Sequence, residues 1–176
     1  MTGGGGAAVR QVGGPPVIAW CGPEAAQTVH MLTRAAFAGQ ELLSPPSSAT
    51  AETIEVVEAD LAAGRGVLAA VGGAPVAAAR VLLFEDHLQV RRVAVHPDFR
   101  RAGLATAIMR WLQERATDMG YDYVALGARK AISANRALYE RLGYYEVADH
   151  GFWVEMRLDL QRHGQRSEPT VPGARI

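Results

Sequence analysis

The residues best suited to chemistry form one run, Val93-Ala94-Val95-His96-Pro97-Asp98-Phe99-Arg100-Arg101-Ala102-Gly103-Leu104-Ala105. An apolar strand enters a proline turn, two arginines and a small-residue loop follow, and an amphipathic helix begins. This succession gathers free backbone N–H groups and the positive end of a helix dipole at one point, an anion site that needs no side chain. Gly103 permits a left-handed or closely approached backbone. Ala105 leaves the first helical turn open, and Arg100 and Arg101 can add charge-assisted donors. Neither the Gly-Lys-Ser/Thr of a P-loop nor a Gly-x-Gly-x-x-Gly is present. Read alone, the run fits either a phosphate-bearing cofactor or an ordinary strand-to-helix connection with a solvated arginine pair.

A second constellation lies downstream. Asn135 and Tyr139 are four apart, on one face of a short helix, and Leu138 and Leu142 mark a neighbouring apolar face. A base is harder to find. The strand feeding the loop, Leu88-Gln89-Val90-Arg91-Arg92-Val93-Ala94-Val95, holds no carboxylate. Glu85, Asp86 and His87 precede it and could act through water; His87 reads as a turn residue, as does His96. The scattered histidines and the lone Cys21 have no metal-ligand spacing. Cys21 ends an apolar run and reads as a structural thiol.

The elements that must position these residues follow from periodicity. Val17 to Trp20 is a first strand; a helix from Gly22-Pro23-Glu24 to Phe37 carries Val29, Leu32, Ala36 and Phe37 as its stripe. The segment 39–50 is a loop, and a second helix with Ile54, Val57 and Leu61 stops at Gly64, so that this part can form a lid. Strands at 66–71 and 75–84 flank Gly72-Gly73, a hairpin signal. The strand Leu88 to Val95 does not alternate cleanly around Arg91 and Arg92. From Gly103 to Met119, Ala105, Ile108, Met109, Leu112, Ala116 and Met119 recur at three and four. A strand at 122–126, a helix capped by Ser133, and a hairpin of Tyr144 to Val147 with Phe152 to Leu160 complete the domain. The order β, α, α, β, β, β, α, β, α, β, β predicts an α/β (α+β) fold. Its mixed, mostly antiparallel sheet has six to seven strands, helices on both faces, and one parallel pair across the crossover helix. We expect a flexible lead at 1–15, one domain at 16–160 and a polar tail at 161–176.

With 176 residues, 49% of them hydrophobic and 20% charged, the chain can build one core without staples. Eighteen basic residues, of which only Lys130 is lysine, balance eighteen acidic ones, which argues against nucleic-acid binding. One cysteine excludes an internal disulfide and points to a reducing, cytoplasmic setting. The start has no signal-peptide pattern. The longest uncharged apolar stretch, Val67 to Ala79, has 13 residues and is too short to cross a membrane as a helix.

Arg100-Arg101-Ala102-Gly103-Leu104-Ala105 resembles the Arg/Gln-x-x-Gly-x-Gly/Ala signature of the GCN5-related N-acetyltransferase (GNAT) superfamily. The segment Ala134-Asn135-Arg136-Ala137-Leu138-Tyr139-Glu140-Arg141-Leu142-Gly143-Tyr144 resembles that family's second signature. The resemblance implies a sheet splayed between the two parallel strands, with acetyl-CoA in the gap and no metal. It implies that Val93 and Val95 pair with the pantetheine arm beside Ala94, and that Arg100, Arg101, Ala102, Gly103, Leu104, Ala105 and Thr106 surround the pyrophosphate. Asn135 would hold the pantetheine or a water, Tyr139 would protonate the leaving thiolate, and the Ala94 or Val95 N–H would stabilise the oxyanion. Ala105 stands where relatives often carry a second glycine. Acceptor contacts should come from the 39–50 loop, Trp20, Phe37, Phe152 and Trp153. Arg91 or Arg92 would mark an anionic acceptor or pair with the flanking helices. The implied function is acetyl transfer to a primary amine by direct attack; the alternative is a non-enzymatic acyl-CoA-binding or regulatory module. Family habit and the apolar last hairpin also imply a homodimer.

Overall fold

The computed structural model describes residues 14–161, so the expected lead and tail fall almost wholly outside the described residues. The elements come in the expected order: β1 (Val17–Cys21), α1 (Ala26–Phe37), α2 (Ile54–Ala63), β2 (Arg65–Val71), β3 (Ala74–Leu83), β4 (His87–Val95), α3 (Leu104–Asp118), β5 (Tyr123–Arg129), α4 (Ser133–Arg141), β6 (Tyr145–Asp149) and β7 (Trp153–Asp159). The seven strands form one sheet in the order β1-β2-β3-β4-β5-β7-β6. Every neighbouring pair is antiparallel except β4 and β5, which run parallel across α3.

Strand alternation divides the core between the two faces of this sheet. On β3, Ala77, Ala79 and Val81 join the large cluster under α3 and α4, with Ile108, Met109, Leu112 and Tyr139. Ala78 joins a smaller cluster under α1 and α2, built from Val29, Leu32, Val57 and Leu61. Helices therefore cover both faces, and the central strands are buried on both sides. Among the described residues, no helix is long and apolar enough to cross a membrane.

Three details differ from the sequence reading. Ser133 is the first residue of α4 and does not cap it; Ile132 holds the cap position and makes no side-chain bond there. Met119 follows the end of α3 and is 45% exposed, because Gly120, at φ +81°, turns the chain away before a further buried turn can form. The uneven alternation of β4 has a structural cause, a bulge. Ala78 pairs with Ala94 but Arg80 pairs with Arg91, so β4 carries one extra residue against β3, and Arg92 adopts φ +52°. A bulge places two successive side chains on one face, and Arg91 and Arg92 both reach carboxylates of the α1/α2 side.

Candidate active site

The parallel ladder between β4 and β5 runs from His87 opposite Tyr123 to Val90 opposite Leu126 and stops there. Each strand continues on its other partner, β4 to Val95 along β3 and β5 to Arg129 along β7. The sheet is thus opened between Arg91–Val95 and Gly127–Arg129, where parallel partners would otherwise pair. The His96 N–H donates to Val76 O at 2.9 Å, which sets the phase of the β3–β4 ladder. By alternation Ala94 also turns its backbone toward β3, while Val93 and Val95 turn theirs into the opening. Ala94 is fully buried.

At the end of β4, Pro97–Phe99 form one turn of 3-10 helix, and α3 begins after Gly103 at φ +76°. No side chain caps α3, so the N–H groups of Leu104, Ala105 and Thr106 start it without intrahelical acceptors. Arg101 has φ +62°, and a Cβ on Gly103 would meet nothing within 4 Å, so the loop is open to an incoming group. Arg101, Ala102 and Gly103 are exposed, while Leu104 is anchored in the core. Arg100 is partly committed, since its Nη2 donates to the Ala36 carbonyl of α1 at 2.9 Å.

The opening widens into a cleft of about 710 Å³ lined from both faces of the sheet. Val93, Asn135 and Tyr139 line it on the α3/α4 side, and Phe37, Gln40 and Pro45–Ser48 line it on the α1/α2 side. Tyr139 is 8% exposed, and burial pushes its phenol up to about 12. Its ring meets Tyr144 edge-on, with centroids 6.0 Å apart. Asn135 is exposed. Phe152 and Trp153 also line the cleft, and the indole of Trp153 packs closely over Gly127: a Cβ there would lie 3.1 Å from its ring.

Other expected contacts lie elsewhere. Trp20 is turned away, packed edge-on against Trp111 at 4.8 Å with Arg65 over its ring. None of Glu85, Asp86 and His87 lines the cleft; His87 is stacked between Phe84 and Tyr123 and bonded to Asp86 at 2.7 Å. The His96 Nδ1 accepts the Asp98 N–H at 3.3 Å, as a turn residue does. Burial, and after it the charge of Glu24, raises the Cys21 thiol to about 11, which keeps it inert.

Three charged residues beside the cleft escaped the sequence reading. Arg80 is 2% exposed and bonds Glu52 and, at 2.7 Å, Asp60. Glu52 also receives the Nε and Nη2 of Arg92, at 2.9 and 2.7 Å, and Arg92 reaches Ser48 Oγ at 2.8 Å. Burial raises the Glu52 carboxyl, but the bonds and charges of Arg92 and Arg80 outweigh it and hold the group below its ordinary value. Arg129 ends β5, donates to the Pro45 carbonyl and lies 4.9 Å from the Phe152 ring centroid. Three guanidiniums, those of Arg80, Arg91 and Arg92, thus share the carboxylates of Glu52 and Asp60, and Arg129 stands outside that set. The lone signal for Arg80 was a single charge inside the otherwise apolar run Val76 to Leu83 of one strand.

A mixed sheet opened between its one parallel pair, with an uncapped helix start beside the opening, is the frame of an acyl-group transferase. The chain belongs to the Acetyltransferase (GNAT) family, whose sequence model matches residues 32–144. A search of curated protein sequences gives no significant match. Among solved structures, the fold is similar to the ribosomal-protein-S18-alanine N-acetyltransferase from Escherichia coli, with TM-score 0.72 and 19% identity over 86% of this chain and 98% of that one. It is similar to the PaiA N-acetyltransferase from Thermoplasma acidophilum in complex with coenzyme A, with TM-score 0.71 and 11% identity over 81% and 99%. It also resembles Ard1 from Thermoplasma volcanium, with TM-score 0.67 and 14% identity over 84% and 99%. These neighbours establish the shared fold.

Proposed function

We propose that this protein is an acetyl-CoA-dependent N-acetyltransferase that moves an acetyl group to a primary amine by direct attack, with no covalent intermediate on the enzyme. The observation that carries the reading is the ladder that ends at Val90 and Leu126, leaving Val93 and Tyr139 on one cleft. The residues present fit the cosubstrate. The unpaired backbone of Val93 and Val95 offers an added-strand edge to the amides of a pantetheine arm. The Leu104, Ala105 and Thr106 N–H groups, with Gly103, Ala102, Arg101 and the remaining donors of Arg100, form the pyrophosphate cradle. Asn135 completes the grip on the arm. Acetyl-CoA, when bound, supplies the activated thioester.

Of the two expected oxyanion donors, the Val95 N–H has the better direction, since it turns into the opening and that of Ala94 turns to β3. Tyr139, raised to about 12, keeps its proton throughout the neutral range and can donate to a developing thiolate. An ordinary thiol titrates near ~8.5, so full proton transfer from this phenol is uphill by roughly 3.5 pH units. Tyr139 therefore stabilises the thiolate chiefly as a hydrogen-bond donor, and the acceptor's own ammonium proton can complete the thiol. The described residues place no carboxylate or histidine on the cleft wall. The surplus of guanidinium charge does part of a base's work, because nearby positive charge favours the neutral, nucleophilic form of an amine.

The same lack of a base supports the second reading, a binding module without turnover. Incubation with acetyl-CoA and a panel of primary amines separates them. The expected result is free thiol and N-acetyl product released one for one; saturable acetyl-CoA binding with no product from any amine establishes the module.

A further inference from the structure

Resting on the acetyltransferase reading, we infer that the acceptor is a small amine that also carries a carboxylate, an amino acid or close analogue, and that Arg129 receives the carboxylate. The cleft wall holds Arg91, Arg92 and Arg129 and, among the described residues, no acidic side chain. The three are not equally free. Arg92 is spent on Glu52 and Ser48. Arg91 lies 3.9 Å from Asp60, which Arg80 already holds at 2.7 Å. Arg129 has no carboxylate partner among the described residues; the Pro45 carbonyl takes its Nη2, and its Nη1 makes no hydrogen bond to the described residues. A guanidinium presents a planar fork matched to a carboxylate, and this one has donors left to give.

Its place in the sheet separates it from the pyrophosphate cradle. Val124, Leu126 and Ala128 face the α3/α4 core, so by alternation Arg129 belongs to the α1/α2 face, where it meets the 44–46 turn. The cradle and Tyr139 lie with α3 and α4. One mouth of the cleft thus faces the cosubstrate and the other faces the acceptor, with Arg129 at the second. A polyamine or other polycation would meet surplus positive charge there with no carboxylate to bind. A small zwitterion supplies the missing anion and presents its amine toward the opening. Phe37, Phe152 and Trp153 give that side of the cleft an apolar wall for a side chain.

The test uses matched acceptors with the full chain and acetyl-CoA: each standard amino acid, its amide, and its decarboxylated amine, read by thiol release. At least one amino acid should exceed its amide and amine in kcat/KM by about 30-fold, the scale of a charge-assisted pair. Arg129→Gln can still donate to Pro45 and should bring that ratio to within about 3-fold of unity, while Arg129→Lys should retain an intermediate preference. Amides or amines used as well as the acids would overturn the inference and leave the acetyltransferase reading standing. An R129Q variant that loses acetyl-CoA affinity and keeps the ratio would also overturn it, assigning Arg129 to the cosubstrate. Absence of acetyl-CoA binding in the wild type would remove the underlying reading instead.

Discussion

In the proposed transfer, Tyr139 brings one buried hydroxyl to the cleft. It sits on the cleft yet is 8% exposed, and burial holds its phenol near 12. Tyr139→Phe keeps the ring and its packing, so kcat should fall about 100-fold while acetyl-CoA affinity changes less than about 3-fold; steady-state kinetics beside direct binding check both, and an unaltered kcat removes the donor role. The same burial makes the fold sensitive to alkali. Below pH ~10 folded and unfolded chains both hold the phenolic proton, and the stabilisation is intact. As pH rises from there toward 12 only the unfolded chain ionises, so up to about 3 kcal/mol is lost through Tyr139, and Tyr144, also raised by burial, acts in the same direction. Denaturant midpoints between pH 8 and 11.5 should therefore drop, and less steeply in Tyr139→Phe; equal slopes would contradict this. Gly103, Asn135 and Tyr139 were legible in the sequence because their types and spacing are local. Arg129 was not, since nothing in Gly127-Ala128-Arg129 tells that Pro45 lies opposite. Arg92 at φ +52° was invisible as well, because a left-handed residue that is not glycine leaves no mark in the sequence.

Between elements, Glu52 ties the α1/α2 layer to the sheet. It precedes α2, bonds Arg80 on β3 and Arg92 in the β4 bulge, and its carbonyl accepts the Nε2–H of His30 on α1 at 3.0 Å when that nitrogen carries the proton. Glu52→Gln leaves the nearly inaccessible Arg80 with Asp60 as its sole carboxylate, a loss of about 1 to 3 kcal/mol, or roughly 5 °C in Tm. Replacing both partners by apolar residues, Glu52→Leu with Arg80→Met, should recover part of it, because the most deeply buried guanidinium leaves with its partner, while the more exposed Arg92 and Asp60 lose one contact each to solvent. Thermal unfolding of single and double variants decides: a double variant no better than the single ones would mean that the network itself, and not the stranded charge, holds that layer. The order and class of the elements were readable, since α3 and the strands carry strong periodicity. Only the disturbed alternation at Arg91 and Arg92 hinted at the bulge. It became intelligible once β3 supplied the register that leaves β4 one residue longer.

Over the whole molecule the formal charge is zero, yet the distribution is uneven: the cleft gathers arginines while the acidic residues lie elsewhere or are shared. A neutral total therefore says little about the ligand, and the local surplus says more. The fold is an opened sheet whose parallel pair exposes one strand edge, α3 points its uncapped start at the same place, and residues 37–48 line the opposite side. The proposed transfer requires acetyl-CoA to occupy that opening. Gly103→Glu tests it most directly, because the new Cβ meets open space and its left-handed strain costs only about 1–2 kcal/mol, whereas its carboxylate enters the anion cradle. Calorimetric titration with acetyl-CoA should give saturable binding at one site per chain in the wild type and an affinity at least about 100-fold weaker in the folded variant. Equal affinity in the two would contradict the account.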